Sequence, residues 1–190
     1  MTRGYPAGFA VALILVLGAC DRNNAEQVTP ADQLRTTAQT ARGGTIDRTH
    51  KGSAIPDFTF RDSEGRSLSL ANLRGKPVLI NLWATWCGPC VQEMPTLDRI
   101  AADNTATLRI VTVSQDAPGA PVSAFFAQNR FSRLEPWLDP QGQLDIHFGT
   151  GSLPTSVFYD SKGREVWRLV GTRDWTTTET TALLLEGTLQ

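Results

Sequence analysis

The sequence predicts a single α/β domain, and two apolar segments with a helix between them carry that prediction. Residues 78–84 and 108–114 are almost continuously apolar, which is typical of parallel strands buried on both faces of a sheet. Residues from about 88 to 102 repeat apolar side chains at helical spacing on one face. A strand, a helix and a second strand in this order form a parallel crossover unit, because parallel strands need a long connection.

A β-hairpin is predicted ahead of this unit. Residues 58–60 and 68–70 contain the apolar positions, and the polar residues between them hold Glu64 and Gly65, where the turn is expected. The hairpin adds two short strands at the amino-terminal side of the domain.

Two helices and two strands are predicted after residue 114. Residues 121–129 place apolar side chains on one face, and Pro121 suits the first helical turn. Residues 143–148 form a shorter candidate helix. Residues 155–159 and 165–170 are apolar strands, and the glycine in the connection between them suits a hairpin turn.

The last helix is predicted to begin near Thr176. Thr176 and Glu179 have the spacing of a capping box, and a run of leucines follows. The folded domain is therefore expected to span residues 53–190.

Two cysteines follow the first apolar strand, in the segment Trp86-Cys87-Gly88-Pro89-Cys90. Cys87 stands where the helix begins, so backbone N–H groups and the helix dipole favour its thiolate, which is the nucleophilic form. Cys90 lies one turn later, within reach of a mixed disulfide formed at Cys87. The pattern predicts a dithiol redox site.

A C-x-x-C pair is also half of a zinc site, but the chain offers few further ligands. The other candidates are Cys20, His50 and His147, and none of them forms a second pair with ligand spacing. No metal and no other cofactor is expected. A purely structural disulfide across three residues would close too small a loop to stabilise the fold much.

The amino-terminal residues predict export. Arg3 precedes an apolar segment at 9–17, and the small residues before Cys20 resemble a bacterial lipobox, whose cysteine is lipidated after cleavage. Residues 1–19 are therefore predicted to be a lipoprotein signal peptide, with an ordinary signal peptide or a retained anchor as alternatives. The apolar run is shorter than the ~20 residues that span a bilayer. Asp21 resembles the signal that keeps lipoproteins in the inner membrane.

Residues 20–52 are predicted to be a lipid-anchored flexible tether, since they are polar and contain few large apolar side chains. Lipid on Cys20 would leave Cys87 and Cys90 as the only thiols of the mature protein. A single pair cannot form the framework of a fold stabilised by several disulfides, so this pair must be functional. The net charge is −1, from 18 basic and 19 acidic residues, which gives no basic surface for nucleic acid. Proteins are the expected partners.

Several segments between residues 55 and 185 together resemble the membrane-anchored thioredoxin-like reductases of the TlpA/ResA type. They are Leu73 to Lys76, Asn81 to Cys90, Glu93-Met94-Pro95, Leu153-Pro154-Thr155 and Asp160 to Gly163. The resemblance implies a thioredoxin fold with an N-terminal β-hairpin extension and a central inserted segment at 116–149. The residues after Pro154 favour the TlpA type over dedicated cytochrome c maturation reductases.

The resemblance also implies roles for individual residues. The Leu153-Pro154 bond is expected to be cis and to face the dithiol, where a partner strand could pair beside it. Glu93 matches an acidic residue near the dithiol that accepts the Cys90 proton. Asn81 replaces the buried aspartate of thioredoxins and takes no proton, so acid–base chemistry is expected from Glu93 or water.

A substrate surface is implied around the dithiol as well. Trp86, Gly88, Pro89, Leu153 and Pro154 are the residues expected to contact a partner protein.

The function that the resemblance implies is a periplasmic thiol-disulfide oxidoreductase. Cys87 attacks a protein disulfide, Cys90 resolves the intermediate, and a transmembrane thiol donor restores the dithiol. The Gly88-Pro89 spacer favours a reductant, with apocytochrome c or copper-site proteins of respiratory oxidases as clients. The protein is expected to be a monomer held at the inner membrane by lipid on Cys20.

Two other activities occur on the same fold. Copper chaperones use a wider cysteine pair with a partner histidine. Peroxiredoxin-like peroxidases use a Thr-x-x-Cys helix start, whereas Thr85 lies only two residues before Cys87.

Overall fold

The computed structural model describes residues 43–187. The predicted signal peptide, Cys20 and most of the predicted tether lie outside these residues. The described residues form one eight-stranded mixed sheet with helices packed on it.

The strands are β1 Thr45–Asp47, β2 Thr59–Arg61, β3 Ser67–Ser69, β4 Val78–Trp83, β5 Arg109–Ser114, β6 Trp137–Leu138, β7 Thr155–Tyr159 and β8 Glu165–Val170. The helices are α1 Gly88–Asp103, α2 Val122–Asn129, α3 Gln143–Phe148 and α4 Thr178–Leu185, with a 3-10 turn at Leu70–Asn72. The strand order across the sheet is β1-β8-β7-β4-β5-β6-β2-β3.

The centre of the sheet confirms the predicted crossover. Strand β4 pairs in parallel with β5 and antiparallel with β7, and every residue of β4 is buried. Helix α1 connects β4 to β5. The dithiol therefore sits where the central strand ends and its helix begins.

Both faces of the sheet are covered by apolar cores. Leu79 and Trp83 belong to the core that includes α1, whereas Ile80 and Leu82 belong to the core on the opposite face. Side chains alternate between the faces of a strand, so Asn81 shares its face with Leu79 and Trp83 and points toward α1. This places a polar side chain of the central strand underneath the dithiol helix.

The predicted hairpin forms β2 and β3, and it joins the sheet through a strand that the sequence did not indicate. Strand β6 pairs in parallel with β5 on one side, and Leu138 pairs with Arg61 of β2 on the other. Helix α2, strand β6 and helix α3 together make up the predicted insertion between β5 and β7.

The range predicted to be a tether ends too late, because its last part is structured. Strand β1 pairs antiparallel with β8, and Ile46 packs against the core on the α1 face. Three residues with one apolar side chain leave little sequence pattern, so this edge strand forms through backbone pairing with β8.

The start of the last helix also differs from the prediction. Thr177, not Thr176, is the N-cap, and its hydroxyl accepts a hydrogen bond from the Thr180 N–H at 3.3 Å. Thr176 instead donates its hydroxyl to Asp174 at 2.6 Å. Pro121 was predicted to lie in the first turn of α2, but it occupies the N-cap position before the helix begins at Val122.

Candidate active site

Cys87 and Cys90 are joined by a disulfide at the beginning of α1, with their Cα atoms 5.2 Å apart. Cys87 is the N-cap of the helix, and its sulfur accepts a hydrogen bond from the Cys90 N–H at 3.3 Å. The same N–H and the positive end of the helix dipole will stabilise negative charge on the Cys87 sulfur when the pair is reduced.

The two sulfurs differ in their access to a partner. Cys87 is 6% exposed and Cys90 is 0% exposed, whereas the neighbouring Trp86 is 70% exposed. A protein disulfide that approaches from solvent therefore meets Cys87 first. Cys90 is placed to act only inside an intermediate that Cys87 has already formed.

Asp116 holds the turn that leads into Cys87. Its carboxylate accepts hydrogen bonds from the Thr85 N–H at 2.9 Å, the Thr85 hydroxyl at 2.6 Å and the Ser114 hydroxyl at 2.7 Å. Asp116 was not predicted to be a site residue. The available signal was its position directly after β5, since the carboxyl ends of neighbouring parallel strands meet at one edge of a sheet.

Glu93 lies one turn beyond Cys90 and is buried, with 2% of its surface exposed. Its Oε1 accepts a hydrogen bond from Asn81 Nδ2 at 2.7 Å, and its Oε2 accepts one from the Arg173 N–H at 3.0 Å. The Thr172 hydroxyl lies 3.5 Å from Oε2. The carboxyl group is thus held between the central strand and the loop that follows β8.

Burial raises the pKa of Glu93 from its ordinary value of 4.5 to about 7. Hydrogen bonds from Arg173, Asn81 and Thr172 lower this pKa and offset only part of the effect of burial. The indole of Trp175 also lowers the pKa, although its N–H makes no hydrogen bond of standard geometry within residues 43–187. A carboxyl with such a pKa can exchange a proton near neutral pH, as a general acid or base requires.

Asn81 links Glu93 to a second strand. Besides its bond to Glu93, its Nδ2 donates to the Ser156 hydroxyl of β7 at 3.0 Å. Asn81 itself takes no proton, as the sequence indicated. In the structure it donates a hydrogen bond to Glu93, whose carboxyl group can take one. Arg173 and Thr172 were not anticipated, because they reach Glu93 from a loop far away in the sequence.

The Leu153-Pro154 peptide bond is cis, as predicted. It directly precedes β7, and the Pro154 carbonyl accepts a hydrogen bond from the Gly171 N–H at 2.9 Å. Since Thr172 and Arg173 follow Gly171, one loop supports both the cis-proline and the carboxyl of Glu93.

A groove of about 590 Å³ lies beside the exposed face of Cys87. It is lined by Trp86, Cys87, Gly88, Pro89, Gln115, Gly142, Asp145, Gly151, Ser152 and Leu153. Four of the five residues predicted to contact a partner line it, whereas the fifth, Pro154, is buried and does not. Gln115 directly follows β5, and Asp145 lies in α3. Neither residue was predicted to line a groove beside the dithiol.

Neither histidine lines the groove beside Cys87. His147 packs edge-on against Phe58, with ring centroids 5.6 Å apart, and His50 lies in an exposed turn. Residues 43–187 contain no group of three or more side chains that could hold a metal ion. Within the same range, no helix has both the length and the hydropathy needed to cross a bilayer.

Comparison with known proteins gives one family model that matches most of the domain. The model is described as Redoxin and matches residues 50–184. The thiol-disulfide oxidoreductase ResA of Geobacillus thermodenitrificans is 36% identical over 123 residues, which cover 64% of this chain and 70% of that protein. The thioredoxin-like protein YneN of Bacillus subtilis is 33% identical over 116 residues, covering 60% of this chain and 67% of YneN.

Solved structures agree with the sequence relatives. The crystal structure of a putative thiol:disulfide interchange protein DsbE from Chlorobium tepidum superposes with a TM-score of 0.61 at 31% identity, over 72% of this chain and 94% of that one. A putative thiol-disulfide oxidoreductase from Bacteroides vulgatus superposes with a TM-score of 0.63 at 25% identity, over 72% and 96% of the two chains.

Proposed function

This chain belongs to the Redoxin family and is a thiol-disulfide oxidoreductase, and from that premise we propose that it reduces protein disulfides in the periplasm. The observation that carries the proposal is the asymmetric pair at the start of α1. Cys87 lines a groove, whereas Cys90 is fully enclosed and lies one helical turn before the buried Glu93.

In the first step the Cys87 thiolate attacks one sulfur of the client disulfide. A new sulfur–sulfur bond joins Cys87 to the client, the client disulfide breaks, and one client cysteine leaves as a thiolate. The Cys90 N–H, which already points at the Cys87 sulfur at 3.3 Å, favours the attacking thiolate.

In the second step Cys90 must lose its proton before it can attack. The Glu93 carboxylate, with its pKa raised to about 7, is suited to take that proton and to pass it on to water or to the leaving client thiolate. The Cys90 thiolate then attacks the Cys87 sulfur, the mixed disulfide breaks, and the client leaves with both cysteines reduced. The protein is left with the disulfide between Cys87 and Cys90.

Reduction as the working direction is supported by the Gly88-Pro89 spacer, which resembles that of thioredoxins. Each cycle consumes two electrons, so a donor must restore the dithiol, and a transmembrane thiol protein is the proposed source. The lipobox-like residues before Cys20 support export and attachment to the inner membrane.

The TlpA/ResA resemblance supports clients that need reduced cysteines to receive a cofactor. Apocytochrome c and copper-site proteins of respiratory oxidases are the proposed clients. Both carry cysteine pairs that would oxidise in the periplasm before the haem or the copper arrives.

The test uses a Cys90→Ala variant of the full chain, which can form the mixed disulfide but cannot resolve it. Expressed in its host, this variant should accumulate client adducts on Cys87, and mass spectrometry of those adducts names the clients. Cys87→Ala is the matched control and should trap none, since the remaining sulfur is buried. Absence of adducts, together with failure of the wild-type protein to reduce a model disulfide, would overturn the proposal.

The anchor is tested separately on the amino-terminal peptide of the mature protein. Lipid on Cys20 predicts a diacylglyceryl mass on a peptide that begins at residue 20. A mature terminus elsewhere, without added lipid, would contradict the anchored form and leave the redox activity unaffected.

A further inference from the structure

The groove beside the dithiol offers hydrogen-bond acceptors and no positively charged side chain. The inserted segment supplies part of its wall through Gly142 and Asp145, and Gln115, directly after β5, adds to it. None of the lining residues is a lysine, an arginine or a histidine. Asp145 is the only lining residue with a carboxylate, so it sets the charge of the wall that faces a client of Cys87.

Gln115 adds a neutral acceptor to this wall. Its Nε2 donates weakly to the Val113 carbonyl at 3.5 Å, which orients the amide and leaves Oε1 on the other side. That Oε1 is buried and has no hydrogen-bond partner within residues 43–187. It faces Gly142, where an added Cβ would lie 3.7 Å from it. A buried acceptor without a partner is costly, so a rotation of the Gln115 side chain that breaks only its weak 3.5 Å bond and brings Oε1 to a donor of a bound segment would be favoured.

Asp145 is also incompletely paired. Its Oδ1 lies 3.4 Å from the Thr150 hydroxyl, and its Oδ2 accepts no hydrogen bond from the described residues. No lysine or arginine between residues 43 and 187 forms an ion pair with it. The carboxylate is half-buried in the groove wall, where solvent screens it less than it would screen a fully exposed group.

We propose that Asp145 and Gln115 select client segments that carry an arginine or a lysine next to the cysteine attacked by Cys87. A guanidinium group has several N–H donors in one plane, which suits a carboxylate and an amide oxygen together. The exposed face of Trp86, at the rim of the same groove, can cover the aliphatic part of such a side chain. An acidic client residue in this place would instead meet like charge.

This inference rests on the proposed reduction of protein disulfides and names the chemistry of the client. The test uses three short peptides, each with an internal disulfide, that differ only in the residue before the first cysteine, which is arginine, glutamine or glutamate. The reduced full-length protein is mixed with each peptide in a stopped-flow instrument. Tryptophan fluorescence follows the oxidation of the dithiol, and the second-order rate constants are compared.

The wild-type protein should reduce the arginine peptide about tenfold faster than the glutamate peptide, the value of one charge-assisted hydrogen bond. Higher salt should narrow the difference, because the pair is only half-buried. Asp145→Asn should bring the ratio of the two rates close to one, and Gln115→Leu should lower the rate with the arginine peptide. Asp103→Asn is the matched control and should keep the wild-type ratio, since it removes a carboxylate at the far end of α1, ~20 Å along the helix from Cys90.

Equal wild-type rates for the arginine and glutamate peptides would overturn the inference, and so would a preference that survives in Asp145→Asn. The glutamine peptide separates this failure from a failure of the proposed function. If the wild-type protein reduces it, the reductase function stands whatever the charge preference. If the wild-type protein reduces none of the three peptides, the proposed function fails and the inference fails with it.

Discussion

Replacing Glu93 with glutamine should remove a pH-dependent loss of stability that this buried carboxyl group imposes on the oxidised protein. At pH 4 the carboxyl is largely protonated in both the folded and the unfolded chain. As the pH rises above 4.5 the unfolded chain ionises, whereas the folded chain keeps its proton until about pH 7. Unfolding is therefore favoured increasingly across this window, and stability is lost as the pH rises through it.

The size of the effect follows from the two pKa values. A rise from 4.5 to about 7 corresponds to about 3 kcal/mol, at 1.36 kcal/mol for each pKa unit. The oxidised form is used because its disulfide removes both thiols from the titration. Glutamine also loses one of the hydrogen bonds from Asn81 or Arg173, but that cost does not depend on pH and cancels in a difference between two pH values.

Urea unfolding of the wild type and of Glu93→Gln at pH 4 and pH 8 measures this difference directly. The free energy of unfolding of the wild type, minus that of the variant, should fall by about 3 kcal/mol from pH 4 to pH 8. Glu179→Gln is the matched control, since it makes the same change at an exposed position in α4 and should leave the pH dependence as in the wild type. Parallel pH profiles for the wild type and Glu93→Gln would refute the assignment of a raised pKa to this carboxyl.

Further substitutions test contacts that hold the turn before Cys87 and the strands β8 and β1. Asp116→Asn leaves a donor around Thr85 unsatisfied, so it should lower the free energy of unfolding in urea by about 1–3 kcal/mol. It should also slow the reduction of a neutral disulfide peptide. A variant that reduces this peptide at the wild-type rate would show that the turn before Cys87 does not depend on Asp116. Arg168→Met leaves the buried carboxylate of Glu165 without its partner at 2.6 Å and should cost about 3–5 kcal/mol in the same assay. The double variant that also carries Glu165→Gln should regain much of the lost free energy of unfolding. If it does not, the destabilisation does not come from the unpaired carboxylate of Glu165. Arg173→Met removes side-chain bonds of 2.9 Å to the Gly43 carbonyl and to the Thr180 hydroxyl, so amide hydrogen exchange of β1 should speed up; unchanged exchange would contradict this anchoring of the edge strand.

The sequence predicts well those elements whose own residues carry the signal. The bounds of β7, β8 and α3 match the predicted ranges, because their apolar runs end at glycine, proline and aspartate residues that stop a strand or helix. The dithiol at the start of α1 and the cis bond before β7 follow in the same way from the local motif and the family resemblance.

Elements held by distant partners could not be predicted in this way. Strands β1 and β6 have three and two residues, and each exists because a neighbouring strand offers free backbone groups. The surroundings of Glu93 likewise depend on residues that are distant in the sequence. Its place on the helix was readable from the spacing to Cys90, but its burial depends on Arg173, which is 80 residues away in the chain.

Differential alkylation of the reduced wild-type protein tests the central claim most directly, namely that Cys87 is the attacking sulfur and Cys90 the enclosed resolving one. The protein is treated briefly with iodoacetamide at pH 7, and the modified cysteine is located by peptide mass mapping. The exposure of the two sulfurs and the helix N-terminus behind Cys87 predict modification of Cys87, with Cys90 protected. Modification of Cys90 first, or of both cysteines at equal rates, would contradict the account.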